Sequence, residues 1–163
     1  EDSGIILSEK IVPQTGPAPL AASILATYDP TSLNDADRYF YEEVADKAMT
    51  EVAGGDGGNY ARVAEGRVNI VLEHVGGLHD VAAFIPMLAE TGGAIKQLLD
   101  DGTVADIDIT TQGSIKVLAA SCAPLMNDLV KLRKQNLGTY RELDQAVKAA
   151  KAGVSHLKKT LSP

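Results

Sequence analysis

Four side chains that can bind metal ions or transfer protons lie close together in the middle of the chain. Glu73, His74, His79 and Asp80 fall within eight residues, and carboxylates and imidazoles are common ligands of divalent cations. On a strand, Glu73 and His74 point to opposite faces, and His79 and Asp80 diverge where a helix begins. The four groups are therefore not expected to converge on one ion.

Asp80 has two possible roles. It directly precedes an apolar segment that reads as a helix, and an aspartate there can accept a hydrogen bond from an unpaired N–H group of the first turn. It can equally be a metal ligand held at the mouth of a site. Local sequence alone leaves both roles open.

A second candidate is the glycine-rich stretch GGDGG at residues 54–58. Glycines before a helix let backbone N–H groups approach an anion. The stretch lacks the Lys and the Ser or Thr of a nucleotide-binding P-loop. An ordinary flexible turn and an anion-binding loop both remain possible.

Composition excludes several classes of protein. The chain has 163 residues and a formal charge of -7, which fits one domain and disfavours binding to nucleic acid or anionic membranes. The opening residues lack the features of a signal peptide, and no apolar run is long enough for a transmembrane helix. The single cysteine, Cys122, is expected to be a buried structural thiol in a reducing compartment. We therefore expect a cytoplasmic protein.

The elements that would position these groups alternate between strands and helices. Strands are predicted at 23–28, 67–75, 94–99, 105–109 and 114–121, with an extended pair or edge at 4–13. Helices are predicted from Asn34 or Asp35 onward, with Tyr39, Val44 and Met49 on one stripe, and at 58–65, 80–91 and 123–134. Helix 80–91 is expected to be buried and kinked at Pro86. This alternation indicates a layered α/β domain.

The C-terminal residues differ in character from the rest. Residues 135–163 are predicted to form a polar helical extension interrupted at Gly153, with a solvated, Lys-rich face. The predicted division therefore places an α/β lobe at 1–134 and the extension at 135–163. Tyr39, Phe40 and Tyr41 are expected to pack within their helix, because only Arg38 accompanies them as a basic residue.

The stretch GGDGGNYARVAEGRVNIVLEHVGGLHDVAAFIPMLAETGG resembles the C-terminal half of the inositol monophosphatase superfamily, especially its histidinol-phosphatase-like branch. The shared pattern is a glycine-rich turn before a helix, a strand ending in Glu, and an aromatic-Asp pair opening a helix that ends in Gly-Gly. ILATYDP upstream and GSIKVLAASCAPLMNDLVKL downstream extend the likeness over about residues 4–133. The resemblance implies an α/β/α lobe with a mixed sheet.

The resemblance also implies roles for particular residues. Asp80 would be a ligand of Mg²⁺, the implied cofactor, and Glu73 would contact the hydroxyl or amine end of a small phosphorylated substrate. Gly55, Asp56 and Gly57 would line the same pocket. His79 stands where the family usually has Trp, so a titratable ring replaces an apolar one.

One departure from the family pattern concerns the metal site. The Asp-Pro-Ile/Leu-Asp-Gly-Thr/Ser stretch of the family's first half is absent from this sequence. A lone Asp80 carboxylate is too little to hold two Mg²⁺ ions. The sequence therefore predicts one lobe of a Mg²⁺-dependent phosphomonoesterase, completed by a missing N-terminal half or by a homo-oligomer partner. The alternative is a non-catalytic α/β module that serves as a partner or assembly subunit.

Overall fold

The computed structural model describes residues 19–161, without the side chains of Asp35 and residues 156–161. The strands are β1 (Ile24–Thr27), β2 (Thr50–Ala53), β3 (Ile70–Val75), β4 (Ala94–Leu98), β5 (Val104–Ala105) and β6 (Ile115–Ala120). The helices are α1 (Asp35–Lys47), α2 (Gly58–Ala64), α3 (Phe84–Glu90) and α4 (Ala123–Leu161), with 3₁₀ turns at Leu20–Ala22, Pro30–Ser32 and Leu78–Asp80. The extended segment predicted at 4–13 lies outside the described residues.

The six strands form one mixed sheet in the order β2-β1-β3-β6-β4-β5. β1 pairs in parallel with β2 and β3, whereas β6 runs antiparallel to both β3 and β4. α1 and α4 cover one face of this sheet, and α2 and α3 cover the other. The fold is the predicted α/β/α arrangement with a mixed sheet.

Side-chain alternation along β3 separates the two hydrophobic cores. Ile70 and Leu72 face α1 and α4, where they join Phe40 and Leu129. Val71 and Val75 face α2 and α3. Since successive residues of a strand point to opposite faces, Glu73 lies on the α2 and α3 side and is buried, whereas His74 is exposed. The predicted opposition of these two residues is confirmed.

The first predicted helix is shorter than its apolar stripe suggested. Asn34 caps α1 by accepting a hydrogen bond from the Asp37 N–H, as predicted, but the helix ends at Lys47. Met49 lies beyond that end with an exposed side chain, and the next four residues form β2. Parallel pairing with β1 extends this segment, and that non-local contact has no signature in the local sequence.

The segment predicted as helix 80–91 is divided. A 3₁₀ turn occupies Leu78–Asp80, and α3 begins only at Phe84. Pro86 is then the third residue of a helix, where its missing N–H would have no intrahelical partner, so the predicted loss of a helical hydrogen bond does not occur. Leu88 is buried in α3, whereas Pro86 is exposed. The prediction of complete burial is therefore wrong.

Two further elements differ from their predicted bounds. The strand predicted at 105–109 is reduced to Val104–Ala105, because only these residues pair with β4. The two predicted C-terminal helices form one continuous helix, α4, which passes through Gly153 without a break. A glycine in a helix costs only about 1 kcal/mol, so one such residue does not end it. The predicted division at residue 134 falls inside α4.

A buried ion-pair cluster fastens α4 to α1 and to β6. The Asp37 carboxylate lies 2.6 Å from Arg133 Nη2 and 3.0 Å from Lys116 Nζ, and both Asp37 and Arg133 are almost inaccessible. The Arg133 guanidinium also donates to the Gly102 carbonyl and lies over the Phe40 ring.

Among the described residues, no helix is both long and apolar enough to span a membrane.

Removing the charge of Asp37 should destabilise the fold much more than removing that of an exposed neighbour. Asp37→Asn leaves Arg133 buried without its counter-ion, which costs about 3 kcal/mol in the free energy of unfolding. Asp100 also pairs with Lys116, but its side chain is 95% exposed, so Asp100→Asn should cost less than about 1 kcal/mol. Urea denaturation measures both, and equal losses would contradict a clamping role for Asp37.

Candidate functional site

The candidate residues lie at one edge of the sheet. β1, β2 and β3 run parallel, so their C-terminal ends share an edge, which we call the carboxyl edge. The glycine loop, residues 54–58, follows β2, and the turn containing His79 and Asp80 follows β3. The two segments singled out from the sequence therefore come together at the carboxyl edge.

The glycine loop has an unusual backbone. Gly54, Gly55 and Asp56 have φ values of +83°, +96° and +44°, a left-handed conformation that glycine adopts far more easily than other residues. The Gly54 N–H donates to the Tyr28 carbonyl, which ties the loop to the end of β1. Asp56 is exposed.

Asn59, in the first turn of α2, joins the glycine loop to β3. It is fully buried, and its side-chain amide donates both to the Gly54 carbonyl at 2.9 Å and to Glu73 Oε1 at 3.0 Å. The side-chain oxygen of Asn59, Oδ1, accepts a hydrogen bond from Arg62 Nη1 at 3.3 Å. A Cβ atom on Gly55 would come within 2.5 Å of that same oxygen. Gly55 is thus required by both its φ value and the space around it.

Glu73 is a buried carboxylate with both oxygens occupied. It is only 3% exposed, and its Oε2 accepts a hydrogen bond from the Tyr60 hydroxyl at 2.9 Å. Burial raises the pKa of Glu73 above its ordinary value of 4.5, while hydrogen bonds from Asn59, Tyr60 and the Tyr28 backbone act in the opposite direction. The burial effect is the larger one.

Tyr60 contacts Glu73 through its hydroxyl and Phe84, the first residue of α3, through its ring. Burial raises the pKa of its phenol, and the negative charges of Glu73, Asp80 and Asp56 raise it further. Its ring stacks on Phe84 with centroids 5.2 Å apart. Three predicted site residues therefore act electrostatically on one phenol.

Asp80 and His79 interact with each other. His79 Nε2 lies 3.3 Å from Asp80 Oδ1, so the predicted divergence of these side chains is wrong. Asp80 Oδ2 accepts a hydrogen bond from the Gly77 N–H at 3.2 Å. Asp80, the last residue of the 3₁₀ turn, thus caps the N-terminal end of that turn, rather than the first turn of the predicted helix. The cause is local: the 3₁₀ turn folds Asp80 back toward Gly77.

The fit of this edge to a metal ion can be judged from its oxygen and nitrogen donors. Within residues 19–161, no group of three or more His, Cys, Asp or Glu side chains is close enough to hold a metal ion. The Glu73 oxygens are occupied by protein donors. The described part of this chain therefore does not form a complete Mg²⁺ site by itself.

An open groove of about 380 Å³ lies beside α1 and β2, away from these residues. Its lining includes Arg38, Tyr41 and Glu51, and the Tyr41 hydroxyl donates to Glu51 at 2.9 Å. None of the predicted site residues lines it.

Sequence reasoning missed Asn59, Tyr60 and Phe84. Asn59 and Tyr60 precede Glu73 by 14 and 13 positions, too far for a helical or strand period to reveal. The available signal was an Asn in the first turn after a glycine-rich stretch. That signal also fits an ordinary turn.

The described fold is similar to that of known inositol monophosphatases. An inositol monophosphatase from Zymomonas mobilis superimposes with a TM-score of 0.66 at 23% identity, over 77% of this chain and 47% of that protein. Staphylococcal IMPase-II superimposes with a TM-score of 0.66 at 17% identity, over 83% of this chain and 52% of that protein. The inositol monophosphatase from Anabaena superimposes with a TM-score of 0.59 at 22% identity, over 76% of this chain and 48% of that protein.

These similarities confirm the predicted fold. This chain spans about half the length of the structures that it matches. The staphylococcal enzyme has been solved with inositol monophosphate bound and with 2′-AMP bound. No protein-family model matches the sequence, and a search of curated proteins finds no match.

Two glycine substitutions test the junction at Asn59. Gly54 and Gly55 both have positive φ values, but a Cβ atom on Gly54 would meet nothing within 4 Å. Gly54→Ala should therefore cost only the backbone strain, about 1 kcal/mol. Gly55→Ala should cost a further 1 to 3 kcal/mol, roughly the loss of a buried hydrogen bond, because it displaces the Asn59 amide.

Urea denaturation of the two variants measures this difference. Equal losses would show that the Asn59 contacts do not depend on the absence of a side chain at Gly55.

Proposed function

We propose that this chain forms one lobe of a Mg²⁺-dependent phosphomonoesterase that hydrolyses a small phosphorylated alcohol of the inositol phosphate or histidinol phosphate class. One observation carries the proposal. A fold like half of an inositol monophosphatase places the glycine loop, Glu73 and Asp80 at one sheet edge. The protein is proposed to act in the cytoplasm.

The substrate would lie across the carboxyl edge. Gly55 and Gly57 leave the loop backbone accessible to it, and the exposed Asp56 side chain borders the same space. His79 is largely exposed beside Asp80 and would form the opposite wall. Ligand binding at these positions remains a prediction.

Glu73 would select the non-phosphate end of the substrate. Its oxygens already accept hydrogen bonds from Asn59 and Tyr60, and a carboxylate retains further acceptor capacity. A hydroxyl or ammonium group that displaces the Tyr60 hydroxyl from Oε2 would gain a charge-assisted hydrogen bond. Tyr60 would then yield its place when substrate binds.

Asp80 would supply one carboxylate to a Mg²⁺ ion. Magnesium prefers oxygen ligands, and with phosphate esters it activates water and stabilises the leaving oxygen. Because the described residues do not form a complete site, the other carboxylates must come from outside them. We propose a missing N-terminal half, or else a homo-oligomer partner, as their source.

The proposed substrate class rests on common chemistry. Inositol monophosphate and 2′-AMP, bound in structures of the staphylococcal enzyme, are both phosphate monoesters of an alcohol, as histidinol phosphate is. A shared phosphate position with variable alcohol contacts accommodates both.

The absence of a three-ligand cluster among the described residues favours a second candidate. The chain would then be a non-catalytic α/β module that keeps the fold and serves as a partner or assembly subunit.

Native protein distinguishes the two functions. Material immunopurified from its source with antibodies to this chain would be weighed by intact mass spectrometry and assayed on inositol 1-phosphate, histidinol phosphate and p-nitrophenyl phosphate, with Mg²⁺ or with EDTA. The phosphatase predicts Mg²⁺-dependent turnover by either a chain longer than 17.1 kDa or a complex made of copies of this chain alone. A 17.1 kDa chain without turnover would establish the module instead.

At concentrations where it is monomeric, the isolated 163-residue chain should show no Mg²⁺-dependent phosphatase activity and should bind Mg²⁺ weakly. The reason is that Asp80 alone cannot replace the several oxygen ligands that Mg²⁺ needs. The assay is hydrolysis of p-nitrophenyl phosphate by pure chain, together with calorimetric titration of Mg²⁺. Turnover that EDTA abolishes would contradict this prediction.

Replacing Asp80 by Asn should separate its capping role from its proposed ligand role. An Asn oxygen can still accept from the Gly77 N–H, so the free energy of unfolding should change by less than about 1 kcal/mol. In the complete, active protein, kcat should nevertheless fall by orders of magnitude. Asp108→Asn is the matched control, because this exposed residue caps a turn through Thr110. Retained activity in Asp80→Asn would leave Asp80 as a cap alone.

A further inference from the structure

Tyr28 places an aromatic ring at the carboxyl edge. It directly follows β1 and is 60% exposed. Its carbonyl accepts a hydrogen bond from the Gly54 N–H at 3.1 Å, which continues the pairing of β1 with β2 beyond the end of both strands. Its backbone also lowers the pKa of Glu73 through a hydrogen bond. The backbone that carries this exposed ring is therefore fixed between the glycine loop and Glu73.

The register of the sheet puts Tyr28 on the same face as Glu73. β1 pairs in parallel with β3, with Ala26 opposite Val71. Two residues further along each strand, Tyr28 stands opposite Glu73. Ala26 and Val71 both belong to the core beneath α2 and α3, and residues two apart along a strand share a face. An exposed ring therefore stands beside the buried Glu73 carboxylate.

Acidic side chains predominate around this ring. Three carboxylates raise the pKa of the Tyr60 phenol by their negative charge, those of Glu73, Asp80 and Asp56. All three therefore lie around one point. Asp56 is exposed on the glycine loop, whereas Glu73 is buried. An exposed ring bordered by several carboxylates is a suitable environment for a cation.

Glu73 receives its hydrogen bonds from neutral side chains, those of Asn59 and Tyr60. The basic side chains nearby have other partners. Arg62 donates to the oxygen of the Asn59 amide at 3.3 Å, and His79 contacts the aspartate that follows it. A ligand that brings a positive charge to Glu73 would therefore supply a counter-ion that neither basic residue provides.

We propose that Tyr28 binds a cationic group at the alcohol end of the substrate, so that phosphate esters of small amino alcohols are the preferred substrates. This inference rests on the proposed function and narrows its substrate class to esters like histidinol phosphate. An ammonium group over the Tyr28 ring gains a cation–π interaction and can donate a charge-assisted hydrogen bond to Glu73. The corresponding part of inositol phosphate carries neutral hydroxyl groups, which gain less from either contact.

NMR titration of the full chain tests this contact without phosphate, metal or turnover. The probes are histidinol and its des-amino analogue, which differ only in the ammonium group, together with myo-inositol. At about pH 8 an aliphatic ammonium is charged and an imidazole is neutral. The Tyr28 ring resonances, assigned by their loss in Tyr28→Leu, should shift saturably with histidinol. Its dissociation constant should be at least about fivefold lower than that of the analogue or of inositol.

Substitutions separate the ring from the charge. Tyr28→Leu should weaken histidinol binding at least about twofold, measured from the Gly54 amide shift, whereas Tyr28→Phe keeps the ring face and should bind like wild type. Asp56→Asn should also weaken binding. Asp46→Asn is the matched control, because this exposed residue lines the groove beside α1, and it should have no effect.

The absence of a saturable shift with histidinol would overturn the inference. So would equal affinities for histidinol and its des-amino analogue, or a Tyr28→Leu chain that binds histidinol as well as wild type. Native protein without turnover would refute the proposed phosphatase but would leave these shifts unchanged. A native phosphatase that prefers inositol 1-phosphate to histidinol phosphate would overturn this inference and leave the proposed function intact.

Discussion

The carboxyl edge depends on one buried carboxylate. Glu73 lies at a position of β3 where its neighbours on the same face, Val71 and Val75, are core residues. Hydrogen bonds from Asn59 and Tyr60 make a charged group tolerable there. Since Asn59 also holds the Gly54 carbonyl, the glycine loop, α2 and β3 form one connected unit.

The remaining architecture supports this unit from the opposite face of the sheet. There the Asp37 carboxylate joins α1, α4 and β6 through Arg133 and Lys116. Both clusters place charge in a layer that is otherwise apolar, and both depend on pairing with protein groups rather than on exposure to water. On the site side, no group of three or more His, Cys, Asp or Glu side chains among the described residues is close enough to hold a metal ion.

Local patterns predicted most elements and the burial of Glu73 against the exposure of His74. They failed where a distant contact decided the structure. β2 is a strand because it pairs with β1, and the strand predicted at 105–109 is short because only two residues of β5 pair with β4. The contacts of Glu73 with Asn59 and Tyr60 were equally hidden. The family likeness predicted the fold, whereas the ligand roles of Asp80 and Glu73 remain proposals.

Titration of the Glu73 carboxyl by ¹³C NMR, with Glu73→Gln assigning its resonance, tests most directly whether the carboxyl edge depends on this buried group. We expect a midpoint above 4.5, raised further in Asn59→Ala, which lacks one hydrogen bond to the charged form. The folded state then binds this proton more tightly than the unfolded chain. The group's contribution to stability is therefore full below 4.5 and is lost as pH rises through the folded pKa. A midpoint at or below 4.5 would contradict the account, because Glu73 would then be hydrated or more strongly stabilised as an anion than its burial allows.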